Sequence, residues 1–198
     1  MARTKEQNER MREKTREKII YAAIALFAEK GLVATSVQDI AKRAGVSVGL
    51  MYHYYKTKDD VFHELVKQAL ESIDELKKMI DNHECPCTIL NLIADDIVKD
   101  LESGYELSQW IMMLPQYFMA NDKTNCNHGV LDFHKRFICE ISNLIKKGQS
   151  SGKFKDGDPD KMAYLFMSII IGVCSLQLSV KEDFKVPTKE MLIGYIIK

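Results

Sequence analysis

An all-α fold is what this sequence predicts. Apolar residues recur at three- and four-residue spacing along most of the chain, and no stretch alternates apolar with polar residues as a half-buried strand does. The 198 residues hold only four prolines and ten glycines, so few positions interrupt a helix, and 46% hydrophobic content is enough to fill a core.

The elements follow in order. A first helix runs to about Lys30, with Ile20, Ile24 and Phe27 on one face and Gly31 placed to stop it in a left-handed conformation. Upstream, Glu6/Arg10, Glu9/Arg12 and Glu13/Arg16 are spaced for surface ion pairs, which reads as a solvated face. Ser36 caps a short second helix, "VQDIAKRA", with Asp39 completing a capping box and Gly45 ending it. Ser47 caps a third short helix through about Tyr55. Thr57, with Asp60 three residues on, starts a fourth, whose apolar positions Val61, Leu65, Ala69, Ile73, Leu76 and Ile80 hold one face for several turns. That helix is long enough to join two domains, and the division it implies is 1–60 and 61–198.

"DNHECPCT", residues 81–88, reads as a linker. Beyond it helices are expected at about 88–103, 105–120 with a kink or break at Pro115, 128–150 and 158–180, with a last one starting near Pro187. Asp158 as cap with Pro159 behind it is a strong start signal for the 158–180 helix. Residues 162–180 contain no charge over 19 positions, close to a membrane-spanning length. Ser168, Ser175 and Gln177 interrupt that run and no basic cluster flanks it, so burial in a core or an oligomer interface is expected rather than insertion.

Net charge is zero, with 28 basic and 28 acidic residues, but it is unevenly spread. Residues 1–60 carry 12 basic and 8 acidic side chains and the rest of the chain 16 and 20, which points to two jobs in one chain. "MARTKEQNERMREK" has no apolar signal region, so a cytoplasmic location is expected. Five cysteines are an odd number and fit reduced thiols better than a disulfide framework.

Helix, glycine-containing turn, second helix is the helix-turn-helix layout, and residues 36–55 meet its packing demands. Ala41 is small where the helices cross, Gly45 can take positive φ, and Ile40, Ala44, Val46, Met51 and Tyr54 point inward. Of the four rings in "MYHYYK", Tyr54 and Tyr55 fall on the buried side. Gly49 and His53 turn outward, with Val48, Leu50 and Tyr52 on the flanks. Ser36 and Lys58 sit at helix starts, where free N–H groups favour an anion, and Lys56 adds charge beside them; these read as phosphate clamps around a helix in the major groove of double-stranded DNA.

"TSVQDIAKRAGVSVGLMYHYYKTKDDVF", residues 35–62, preceded by a helix ending "ALFAEKG", resembles the DNA-binding signature of TetR/AcrR-type transcriptional regulators. The specific match spans about residues 15–65; the rest agrees in length, helix count and the passage "G…SGKF…DP" between the two long helices. The resemblance implies an all-α homodimer, a C-terminal effector pocket, and repression of an operator relieved by a small molecule. It also makes Ser36, Ser47, Gly49, Tyr52, His53 and Lys58 DNA-contacting positions. Val48 and Leu50 stand where many members carry a basic and a small hydroxylic residue. They can touch a thymine methyl but cannot bond to a guanine edge. His53 is then the best remaining polar base reader, or else a surface histidine on phosphate or solvent.

In "YELSQWIMMLPQYFM", residues 105–119, methionines and aromatics cluster around Pro115, the adaptable lining a greasy ligand site uses, or equally ordinary core. Trp110, Met113 and Tyr117 are the candidates there, with Phe133, Phe137 and Tyr164 closing the other side. No metal site is expected: neither His83, Cys85 and Cys87 nor Cys126, His128, His134 and Cys139 match a ligand spacing. No Gly-rich phosphate loop, nucleophile elbow or telling acid pair is present, so neither a cofactor nor enzymatic turnover is expected. A ligand-responsive homodimeric repressor is favoured, its alternative a DNA-binding architectural or partner-recruiting protein with no small effector. The long fourth helix would be the lever between the halves.

Overall fold

Gly31 decides where the first straight run of helix stops. The computed structural model describes residues 5–82, 85–119 and 126–198, and their side chains except at 5, 8, 115–119 and 126–130. Helix α1 spans Lys5–Ala34, but Gly31 within it has φ 79° and ψ 161°, a backbone conformation that side chains disfavour, so the helix breaks there before one more short turn. Thr35 anchors the break by donating to the Gly31 carbonyl at 2.8 Å.

The short elements follow their caps. α2 spans Val37–Ala44 with the full Ser36–Asp39 capping box, and ends at Gly45 with φ 67°. α3 spans Val48–Tyr54, where the Leu50 N–H donates to the Ser47 hydroxyl at 3.1 Å. α4 spans Lys58–Asp81 and opens with the Thr57–Asp60 box. Each of these boundaries was legible because a cap satisfies backbone groups that a helix end leaves open.

α5 begins at Pro86, two residues earlier than the sequence indicated, because proline suits a first helical turn, and it ends at Ser103. α6 spans Glu106–Met119 as one helix through Pro115, where a kink or break was expected, so the chain does not break there. α7 (Cys126–Ser150), α8 (Pro159–Val180) and the short α9 (Lys189–Ile193) complete the order, with a 3-10 turn at Lys181–Asp183.

Two cores organise these helices. In the first, Phe27 meets Phe62 edge-on at 6.2 Å among Ile19, Ala23, Ile40, Ala41, Met51 and Tyr55, all buried. Met113 and Leu114 of α6 and Phe133 of α7 belong to this same core. The head formed by α1–α3 therefore continues without a seam into the C-terminal helices. Removing a ring such as Phe27 would cost about 3–5 kcal/mol.

The second core joins α5 to α9 through Ile89, Leu90, Ile141, Leu144, Phe154, Phe166 and Leu192. The "G…SGKF…DP" passage explains itself here. A Cβ on Gly148 would lie 2.1 Å from the Phe154 ring, Gly152 turns the chain at φ 70°, and Asp158 accepts from the N–H groups of Asp160 and Lys161 to start α8.

α8 and the turn after it, Pro159–Asp183, are long and apolar enough to cross a membrane, with a third of the most apolar window buried inside the protein. One face packs inward through Ala163, Phe166, Met167, Ile170, Cys174 and Gln177. Gln177 is 4% exposed and fully bonded: its amide donates to the carbonyls of Leu101 (2.7 Å) and Gly104 (3.1 Å), and its oxygen accepts from Ser108 at 2.5 Å. The opposite face leaves Tyr164, Leu165, Leu176 and Val180 exposed.

Candidate functional site

Three sizeable side chains stand out from α3 into solvent. Val48, Leu50 and Tyr52 are 39%, 40% and 38% exposed, and His53 beside them is exposed too. The opposite face is pinned by Met51, which is fully buried, so the helix cannot roll to hide them. Gly49 lies between them, and nothing stands within 4 Å of where its Cβ would be. A short capped helix with an open backbone and an outward ridge has the shape a major groove accepts.

The four rings divide as the helical wheel predicts. Tyr55 is 8% exposed; Tyr54 is half-buried and its hydroxyl donates to the Arg12 carbonyl at 3.4 Å. Tyr52 and His53 face out, the imidazole edge-on to Tyr54 at 5.8 Å.

The flanking polar residues are placed differently from one another. Ser36 is held in its cap: its hydroxyl donates to the Asp39 carboxylate at 2.8 Å and accepts from the Asp39 N–H at 3.1 Å. Those bonds hold the Asp39 carboxyl below its usual range. Lys56 is exposed, and its ammonium donates to the Tyr52 carbonyl at 2.9 Å, closing the end of α3. Lys58, expected as a phosphate clamp, is half-buried and bonded within the protein. Its ammonium donates to the carbonyls of Leu32 (2.7 Å) and Val33 (2.9 Å), the open C-terminal end of α1, because the break at Gly31 leaves acceptors within reach.

Between the head and the C-terminal helices lies a cavity of about 670 Å³, walled by α1, α4, α5, α6, α7 and α8. Of the expected ligand residues, Trp110, Phe133 and Phe137 line it. Trp110 meets Phe133 edge-on at 5.1 Å and Phe137 stacks on Phe133 at 6.1 Å. Met113 is 2% exposed but packs into the first core instead. Tyr117 lies outside the described side chains. Tyr164 is a correction: it is 63% exposed on the outer face of α8, one residue and about 100° past the buried Ala163, and Met167 and Ile170 line the cavity in its place.

The sequence reading missed the α1 wall, made by Ile20, Tyr21, Ile24 and Arg16. Only their three- and four-residue spacing signalled it, and that spacing served equally for core. Arg16 is more than lining. Its guanidinium donates to Glu64 of α4 at 2.5 Å and to the Tyr55 hydroxyl at 3.3 Å, directly after α3. One side chain thus touches the cavity, the long helix and the end of the outward helix.

Residues 19–65, which hold the α2–turn–α3 unit and its packing partners, match the bacterial regulatory proteins of the tetR family. This head is a tetR-family domain. Beyond it, the chain is similar to the HTH-type transcriptional regulator TtgR of Pseudomonas putida, 24% identical over 179 residues, which cover 86% of this chain and 81% of that protein. Among solved structures, the MbdR regulator from Azoarcus sp. CIB has a TM-score of 0.70 at 23% identity, covering 91% of this chain and 93% of that one. FadR from Bacillus subtilis, in complex with stearoyl-CoA, has a TM-score of 0.64 at 20% identity, covering 91% and 98%. The structural likeness is one of fold: a tetR-type head on an α-helical body. The named relatives are transcriptional regulators.

Proposed function

We propose that this tetR-family transcriptional regulator is a cytoplasmic homodimeric repressor, released from its operator when a small apolar or amphipathic molecule enters the cavity. The observation that carries this reading is Arg16, which lines the cavity while bonding to Glu64 on α4 and Tyr55 at the end of α3. A ligand that displaces α1 or α4 pulls on the reading helix through those bonds. The α4 lever expected from sequence also borders the cavity, through Leu65, Ala69, Ile73 and Leu76. The stearoyl-CoA bound by FadR supports an apolar occupant.

Dimerisation rests on α8. Tyr164, Leu165, Leu176 and Val180 are exposed on α8, and a second copy would cover them to make a four-helix interface with α7. A two-fold pair of heads then presents two α3 helices to successive major grooves, about 34 Å apart or a multiple. On the outward ridge we assign Val48, Leu50, Tyr52 and His53 to base edges and groove walls. Ser47, Lys56 and the N-terminal N–H groups of α2 beside Ser36 are assigned to phosphate. Gly49 lets the backbone close in.

Fluorescence anisotropy of the purified protein on duplex from its own upstream region and on a scrambled duplex, at two salt concentrations, tests this. The expected result is a preference of about 10³-fold or more, with affinity falling steeply as salt rises. Equal, weak binding to both at both salts contradicts operator recognition there. Ligand and operator must also weaken each other by one common factor, and titrations without that reciprocity contradict the release mechanism.

A further inference from the structure

The cavity's chemistry narrows its occupant. Its floor is almost wholly apolar, built from aliphatic side chains of α1, α4 and α5 and the rings of Trp110, Phe133 and Phe137. Its rim is acidic. Among the described lining residues, Glu13 and Glu17 of α1, Glu75 of α4, and Asp96 and Asp100 of α5 stand against a single cation, Arg16. Arg16 is already matched by Glu64 at 2.5 Å. None of the five carboxylates forms an ion pair with a lysine or arginine among the described residues. Asp100 shows the strain of this arrangement: partial burial, and then Asp96 beside it, push its carboxyl above its usual range.

A carboxylate or phosphate head group would meet this rim with like charge and find its one cation engaged. A cation would relieve the mutual repulsion of the acids. On the reading that the cavity is the effector site, we propose that its ligand is a cationic amphiphile. An aliphatic or aromatic body occupies the floor, and a quaternary ammonium or protonated amine sits between the α1 carboxylates and those of α5. Charge complementarity then sets this chain apart from FadR, whose bound stearoyl-CoA joins an acyl tail to an anionic coenzyme.

Decyltrimethylammonium and decanoate share a tail and differ in the sign of the head, and both can be titrated below the concentrations at which they form micelles. Trp110 is the chain's one tryptophan and lies in the cavity wall, so its emission reports occupancy directly. Decyltrimethylammonium is expected to shift Trp110 emission saturably, with affinity at least ten-fold above that of decanoate. The double variant Glu17→Gln, Asp96→Asn, both exposed positions, is expected to cut that preference at least three-fold while leaving far-UV circular dichroism unchanged. Equal affinities, tighter decanoate binding, or a preference untouched in the double variant would overturn the charge assignment and leave the cavity as effector site standing. No response of Trp110 to either amphiphile would overturn both.

Discussion

Replacing Gly49 by alanine separates folding from DNA recognition at a single atom. Gly49 is the second residue of α3, its backbone is helical, and a Cβ there meets nothing within 4 Å. The protein itself has no steric objection to the methyl group. Alanine is favoured over glycine by up to about 1 kcal/mol in a helix interior; a first-turn position should realise about half, roughly 0.5 kcal/mol. For a chain of this size that raises Tm by about 1–2 °C. If α3 lies in a groove with its backbone at van der Waals distance, the same methyl falls between helix and DNA. Specific affinity should then drop at least ten-fold, about 1.4 kcal/mol. Thermal unfolding and anisotropy on the preferred duplex read the two effects in one preparation. Unchanged or tighter specific binding by the alanine variant would refute the close approach of α3 at Gly49.

Three further outcomes follow from the same geometry. Lys58→Met should lower stability by about 1 kcal/mol through the lost bonds to Leu32 and Val33, yet leave the salt slope of DNA binding unchanged; a slope reduced by about one would restore Lys58 as a phosphate contact. Gly148→Ala should destabilise by about 1–3 kcal/mol in urea unfolding, since the new Cβ lies 2.1 Å from the buried Phe154 ring, and a neutral result would mean that this contact gives way freely. The Cys85 thiol, hydrogen-bonded by the Lys153 ammonium at 3.1 Å, is held down at about 6 from an ordinary 9.0. It is therefore mainly thiolate at pH 7, and its alkylation by iodoacetamide should rise through pH 6 and level off by pH 7–8. Lys153→Met should move that midpoint upward, and a wild-type midpoint at ordinary thiol pH would remove the Lys153–Cys85 pairing.

The head was legible because its signals are local. Ser36, Asp39, Gly45, Ser47, Thr57 and Asp60 each act on backbone within four residues, so their types and spacing name the helix ends without knowledge of the tertiary fold. The inward and outward rings of "MYHYYK" followed from a single wheel. The cavity was only half legible, because it depends on where whole helices meet. Trp110 belonged to a stretch already suspect by composition, with Phe133 and Phe137 expected opposite it, whereas Ile20 and Ile24 read as one face of the first helix until α1 was seen to wall the cavity together with α4 and α5. Tyr164 looked like lining for the converse reason: α8 is apolar on both faces, so the sequence could not say which one turns inward. The bonds of Lys58 to Leu32 and Val33 could not be read from the sequence, because the break at Gly31 exposes carbonyls that no spacing rule connects to a lysine 27 positions on.

The central claim, that paired α3 helices recognise a specific duplex, is tested most directly by selection from a randomised double-stranded DNA library with the full chain at physiological salt. The expected result is enrichment of one motif made of two half-sites related by two-fold symmetry, spaced by one helical turn or a multiple. A double Val48→Ala, Leu50→Ala variant should lose preference within the half-sites while keeping non-specific binding. A library that returns no motif after repeated rounds, from protein shown by circular dichroism to be helical, would contradict operator recognition and with it the repressor assignment.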